Sequence, residues 1–166
     1  PRQIWWNVRV HPEYGTVEFR ACDVQISVPR TAAIVALVQA LVVAYGDAHR
    51  AGKPEPYLPG AYLEDLRWKG MRFGLSADVI DAETSEVVSM PALVERMVEV
   101  AWPAATKLGT TGYLDIVSEI LQLGNGAAAQ RAALAEEGGD LRKLQHRLLR
   151  EAVEKGIRQP GLDSLG

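Results

Sequence analysis

From Ala32 to Tyr45 every residue is apolar except Gln39, and no other stretch restricts the fold as much. Pro29 suits the first turn of a helix, where its missing N–H costs nothing, and no breaker but Gly46 interrupts a helical reading from Thr31 to about Arg50. A helix of this kind is apolar on nearly every face. It must be covered all round, so it lies between two layers or against a neighbouring chain. The apolar run falls short of the roughly 18 to 20 residues that cross a bilayer, which makes it a buried helix rather than a membrane span.

The chain has 166 residues, the usual size of one domain, with 48% hydrophobic and 23% charged residues. That mix excludes a disordered tail, a collagen-like repeat or a coiled coil as the main body. The net charge of −3 gives no strong attraction to a polyphosphate backbone or an anionic membrane, so neither nucleic acid nor membrane is an expected partner. A single cysteine, Cys22, allows no intramolecular disulfide and suits a reducing, cytoplasmic compartment. The sequence opens Pro1-Arg2-Gln3-Ile4-Trp5-Trp6, with no initiator Met and no basic stretch leading into an apolar run, so secretion is not expected.

Alternation over Ile4–Val10 and again over Thr16–Val24, separated by His11-Pro12-Glu13-Tyr14-Gly15, predicts a β-hairpin. A Pro/Gly-rich connection over 51–60 follows the long helix, then a helix from about Tyr62 to Phe73 that Gly74 stops. Val79-Ile80 and Val87-Val88 predict a second, small hairpin. Ser89 and Pro91 start a helix to about Leu108, in which Pro103 predicts a kink. Three shorter helices are expected over 112–123, 127–137 and 140–155, the last capped by Asp140. The fold class is α+β: antiparallel strands packed with several α-helices. Residues 1–158 form the folded unit, and 159–166, too poor in apolar residues to pack, form a flexible tail.

Most standard chemical motifs are absent: there is no phosphate loop, no G-x-G-x-x-G, no C-x-x-C, no H-E-x-x-H and no G-x-S-x-G. His11, His49 and His146 are far apart and read as solvated. Cys22 has no activating base near it in sequence and reads as an inert small hydrophobe. The informative segment is Thr16-Val17-Glu18-Phe19-Arg20-Ala21-Cys22-Asp23. Period two sets Glu18 and Arg20 on one strand face and turns Val17 and Phe19 to the core. A carboxylate is a hard oxygen ligand for Mg²⁺, and a guanidinium two residues on can grip a phosphate oxygen. Spacing alone favours an ordinary surface ion pair on a half-exposed sheet.

Trp6-Asn7-Val8-Arg9 with the segment His11 to Asp23 resembles the late strand pair of the type 2 glutamate–cysteine ligase family, the ATP-dependent carboxylate–amine ligases. Arg67-Trp68-Lys69-Gly70-Met71-Arg72-Phe73-Gly74-Leu75 is similar to the family's basic-aromatic helix ending in R-[YF]-G-L, with Val79-Ile80-Asp81 after it. Gly124-Asn125-Gly126, Gln130-Arg131 and Gly139-Asp140-Leu141-Arg142 resemble its closing G-x-G, Q-R and G-D-L-R elements. One departure is Leu66, which stands where family members commonly have Asn. Members are also much longer at the N-terminus, so this chain reads as a C-terminal portion of the catalytic domain.

The resemblance implies that the strands are part of a glutamine-synthetase-like catalytic sheet and that ATP and Mg²⁺ are cofactors. It implies phosphorylation of the γ-carboxylate of glutamate, then attack on the acyl phosphate by an amine such as cysteine. It makes Glu18 a Mg²⁺ ligand and Arg20 the catalytic phosphate contact. Arg9 and Arg72 become substrate-binding candidates and Asp23 a supporting partner, although Arg72 also has a plain helix-surface reading. The implied partners are glutamate, the amine, the remaining N-terminal portion or a partner chain, and further copies in a homo-oligomer. The alternative is a non-catalytic assembly module that keeps the ligase fold. Hairpin register separates polar from apolar if Glu18 and Arg20 share a face with Asn7 and Arg9, leaving Trp6, Val8, Val17 and Phe19 together.

Overall fold

A computed structural model describes residues 7–54 and 58–157. The long helix, α1, spans Val28–Arg50 and so begins before Thr31: Ser27 is extended and its Oγ accepts the Arg30 N–H at 3.4 Å, with Pro29 in the first turn. One face of α1 carries Ala33, Ala36, Leu37 and Ala40. It packs on Ala101, Ala104 and Ala105 of α3 (Met90–Leu108) and on Leu114 and Val117 of α4 (Thr111–Leu123). Alanines on both sides of the α1–α3 contact remove the side-chain bulk that would hold the two backbones apart. Asp47 clips the C-terminal end of α1 to α3, accepting from Lys107 Nζ at 3.3 Å.

The opposite face of α1 is not covered by any described element. Val28, Val35, Val42 and Tyr45 are all exposed, Val35 by 60% and Tyr45 by 58%, and the seven-residue spacing of the three valines places them in one stripe. The expectation of a helix covered all round is therefore met on one side only. Flanking residues also lengthen α1 to 23 residues, which makes it long and apolar enough by length and composition to cross a membrane. Its alanine face instead forms the core.

Six helices and two small antiparallel sheets make up the described chain. Strand β1 (Val8–His11) pairs with β2 (Thr16–Phe19), and β3 (Asp78–Ile80) with β4 (Val87–Ser89). Both strands of the first hairpin are shorter than the alternation predicts. Past Phe19 the chain leaves the ladder, and Ile4–Trp6 lie outside the described residues, as does the expected tail over 159–166. Ser89 closes β4 and caps α3 by accepting the Ala92 N–H, and α3 continues through Pro103. Helix α5 spans Gly126–Glu136. Helix α6 spans Leu141–Ile157, with Asp140 accepting the N–H groups of Arg142 and Lys143 as its cap. Arg147 ties α6 to α5 through Glu136 at 2.6 Å.

Helix α2 (Gly60–Phe73) buries no side chain fully and leans on β3, where the Tyr62 hydroxyl donates to the Ile80 carbonyl at 2.7 Å. It ends at Gly74, whose φ of +59° favours glycine. A Cβ there would stand 2.8 Å from Asn125 Nδ2. Asn125 cannot simply turn away, because its Oδ1 caps α5 by accepting the Ala128 N–H at 3.0 Å. The Arg-Phe-Gly-Leu and Gly-Asn-Gly segments thus touch, and Arg30 of α1 joins them by donating to the Gly124 carbonyl at 3.2 Å.

Two substitutions test this packing. Leu114→Ala empties a fully buried position and is expected to cost about 2–5 kcal/mol in denaturant unfolding. Gly74→Ala combines backbone strain with loss of the α5 cap and is expected to lower Tm clearly, while Gly52→Ala, which meets nothing within 4 Å, carries only the strain of its positive φ and lowers Tm less.

Candidate active-site wall on the first hairpin

Gly15, at φ +60°, completes the turn after β1, in which Tyr14 N–H donates to the His11 carbonyl at 3.2 Å. This turn sets Val8 opposite Phe19, Arg9 opposite Glu18, Val10 opposite Val17 and His11 opposite Thr16. The register is the one that separates polar from apolar. Arg20 N–H extends it by donating to the Asn7 carbonyl at 2.7 Å; Trp6 lies outside the described residues.

On the polar face one carboxylate gathers three basic side chains. Arg9 directs two nitrogens at Glu18 Oε2, Nε at 2.8 Å and Nη2 at 2.6 Å, and His11 Nε2 stands 3.4 Å from the same oxygen. Arg20 Nη1 lies 3.7 Å from the other oxygen, Oε1. The Arg9 guanidinium above all holds the Glu18 carboxyl below the usual carboxylate range, helped by His11 and Arg20 against partial burial. His11 is the member that a solvated-histidine reading misses. Its signal was present: two residues beyond Arg9, it shares that residue's strand face.

The other candidates lie apart from this group. Asp23 follows the hairpin and lines a groove between β2 and α1; its carbonyl accepts from Gln25 Nε2 at 2.9 Å. Arg72 sits in the last turn of α2, its Cζ 5.5 Å from the centroid of the Phe73 ring, which meets Trp68 edge-on. Cys22, read as an inert small hydrophobe, is exposed and lines the same groove as Asp23. Elsewhere, Asp81 is a buried carboxylate that accepts the Glu83 N–H at 2.9 Å and pairs with Arg96, shaping the β3–β4 turn. The Glu83 N–H, first, and Arg96 keep its carboxyl below the usual range despite burial.

The apolar face of the hairpin does not reach the core as period two predicts. Val10 is 64% exposed, whereas the Arg9 side chain is only 19% exposed. Between this face and α1 runs an open groove of about 850 Å³. The hairpin stands off from the helix rather than packing on it.

The Glu18 group suits Mg²⁺ only in part. Oε2 is committed to Arg9, while Oε1 has, among the described residues, one long contact, to Arg20, so Glu18 fits as one hard-oxygen donor. No group of three potential ligands occurs among the described residues. A complete metal or nucleotide site therefore requires donors beyond this cluster.

A two-stranded basic-acidic wall carried by a helical body is the class of site that the geometry defines. The chain belongs to glutamate–cysteine ligase family 2, whose profile matches residues 1–154. It is 40% identical to a protein of Rubrobacter xylanophilus named glutamate–cysteine ligase 2-3, over 81% of this chain and 35% of that protein. It is 35% identical to a Gloeobacter violaceus protein named glutamate–cysteine ligase 2, over 78% of this chain and 35% of that one. A Solibacter usitatus protein of the same name is 29% identical over 99% of this chain and 42% of its own length. The chain thus spans well under half the length of the curated relatives it matches.

The Glu18 pairing has a signed pH dependence. Its folded carboxyl is more acidic than its unfolded one, so its stabilisation is complete above the ordinary carboxylate range and is lost as pH falls through the lower folded value. Glu18→Gln is expected to lower Tm slightly at neutral pH, with the gap from the unmodified chain closing on acidification. A gap that widens in acid contradicts the pairing.

Proposed function

We propose that this chain is the C-terminal part of an ATP- and Mg²⁺-dependent carboxylate–amine ligase, acting in the cytoplasm and supplying one wall of its active site. The reaction joins the γ-carboxylate of glutamate to an amine such as cysteine. The observation that supports it is the Glu18 group: the Thr-Val-Glu-Phe-Arg segment of a ligase family, folded as a strand that presents one carboxylate among Arg9, His11 and Arg20. In this reading the strands belong to a larger, glutamine-synthetase-like sheet whose other members come from the remainder of the enzyme.

The chemistry needs charge management. The γ-phosphoryl group leaves ATP for a γ-carboxylate oxygen of glutamate, giving ADP and an acyl phosphate. The amine nitrogen then forms the C–N bond as the C–O bond to phosphate breaks, and loses a proton. Arg20 acts on the phosphoryl oxygens, where its forked donors oppose the charge that gathers during transfer. Arg9 and His11 fix Glu18 through Oε2, which would leave Oε1 as its metal donor. Mg²⁺, when bound, would neutralise phosphate charge. Arg9 and Arg72 are the candidates for holding substrate carboxylates, and Asp23 for support behind them.

In the complete enzyme Glu18→Gln is expected to lose about 100-fold or more of turnover while folding normally. Arg20→Lys, which keeps the charge and loses the planar fork, should also be damaging. ADP release and amide product are the readouts. Near-normal turnover of both variants at saturating Mg²⁺ returns Glu18 and Arg20 to an ordinary ion pair. The isolated 166-residue chain is expected to form neither product, because a lone carboxylate holds Mg²⁺ weakly, and its catalysing alone contradicts the proposal.

A further inference from the structure

Helix α2 buries no side chain fully and is braced at both ends. At its start the Tyr62 hydroxyl donates to the Ile80 carbonyl at 2.7 Å. At its end Gly74 donates its N–H to the Gly70 carbonyl and turns the chain at φ +59°. Asn125 Nδ2 lies against that turn, 2.8 Å from the place a Gly74 Cβ would take.

The two halves of the Asn125 amide do different things. Oδ1 caps α5 by accepting the Ala128 N–H at 3.0 Å. A cap requires only an oxygen, which Ser or Asp supplies as well. Nδ2 is not needed for it, and instead fills the space that a side chain at Gly74 would claim. The turn carrying Asn125 is anchored in its own right. Arg30 of α1 donates to the Gly124 carbonyl at 3.2 Å, and a Cβ at Gly126 would lie 3.6 Å from Ile26 Cγ2. Ile26 and Arg30 belong to the chain that leaves the first hairpin, so Gly124-Asn125-Gly126 bridges that segment and the Arg-Phe-Gly-Leu turn.

Arg72 is the charged group at the far end of this bridge. Its Cζ is 5.5 Å from the centroid of the Phe73 ring, which meets Trp68 edge-on at 5.6 Å. A long side chain of this kind is aimed by its backbone and its neighbours, and both are fixed here by the turn at Gly74. We infer that Asn125 is a positioning residue: through Gly74 it fixes the Arg-Phe-Gly-Leu turn, and so sets the place from which Arg72 grips a substrate carboxylate. What Arg72 grips rests on the ligase reading; the hold of Asn125 on the turn does not.

Steady-state amide formation by the complete ligase tests the use of that hold, with KM measured for glutamate and for cysteine. Arg72→Ala is expected to raise one of these KM values by at least about tenfold. Asn125→Ser, which keeps the capping oxygen and withdraws Nδ2, is expected to raise the same KM about fivefold with kcat little changed, and to add nothing in the Arg72→Ala background. Arg30→Met, which cuts the tie to Gly124, is expected to act in the same direction. Full addition of the Asn125 and Arg72 effects overturns the inference, as does a KM that Arg72→Ala or Asn125→Ser leaves unmoved.

Hydrogen exchange in the same samples tests the hold without activity. Amides over 73–77 are expected to exchange at least about tenfold faster in Asn125→Ser, while the Ala129 N–H, bonded to the Asn125 carbonyl at 3.1 Å, stays protected and shows that α5 is intact. Unchanged exchange over 73–77 overturns the inference and leaves Asn125 a helix cap. Faster exchange without amide from the unmodified ligase retains the hold and removes the ligase; amide whose KM values ignore Asn125→Ser retains the ligase and removes the positioning role.

Discussion

The alanine-on-alanine contact between α1 and α3 is what the rest of the structure depends on. Ala33 and Ala40 share one buried cluster with Ala101, Ala104 and Ala105, and these small side chains let the two helices approach closely. Leu114 and Val117 of α4 close the cluster. Once that face is committed, Val35 and Val42 are forced to the other side, where they meet the first hairpin across the groove rather than another helix. The helical bundle is thus the core of this chain.

The hairpin inverts the usual burial of a sheet. Its charged face is the better shielded one, because Arg9, His11 and Arg20 fold over Glu18, while its valines and Phe19 stay open. Shielding one carboxylate among cations is tolerable because that carboxylate is paired. Leaving the apolar face open is costly in water. Both features follow from one register: with Arg9 opposite Glu18, the apolar residues of the pair share the other face, from which Val17 and Phe19 line the groove beside α1.

Much of this was legible from residues. Alternation placed the first hairpin and two short apolar pairs the second, and Ser89, Asp140 and Gly74 marked helix ends where the structure has them. Polar–apolar separation chose the correct parity, with Glu18 on the face of Arg9 rather than that of Val8. What was not legible depends on neighbours. The exposed face of α1 could not be told from a buried one, because Val35 and Leu37 are equally apolar and only packing distinguishes them. His11 was hidden by the turn residues that follow it. The Arg-Phe-Gly-Leu and Gly-Asn-Gly segments resembled family elements, yet the reason for their glycine and asparagine is a contact across fifty residues of chain, between Gly74 and Asn125.

The central claim is that these 166 residues are one wall of an ATP site that other chain completes. Calorimetric titration of ATP with Mg²⁺ tests it most directly, on the 166-residue chain alone and on the complete ligase. The account predicts Mg²⁺-dependent binding to the complete ligase, weakened by Glu18→Gln, and no measurable heat with the chain alone. Binding of equal strength to the chain alone, or Mg²⁺-dependent binding to the complete ligase that Glu18→Gln leaves unchanged, would contradict it.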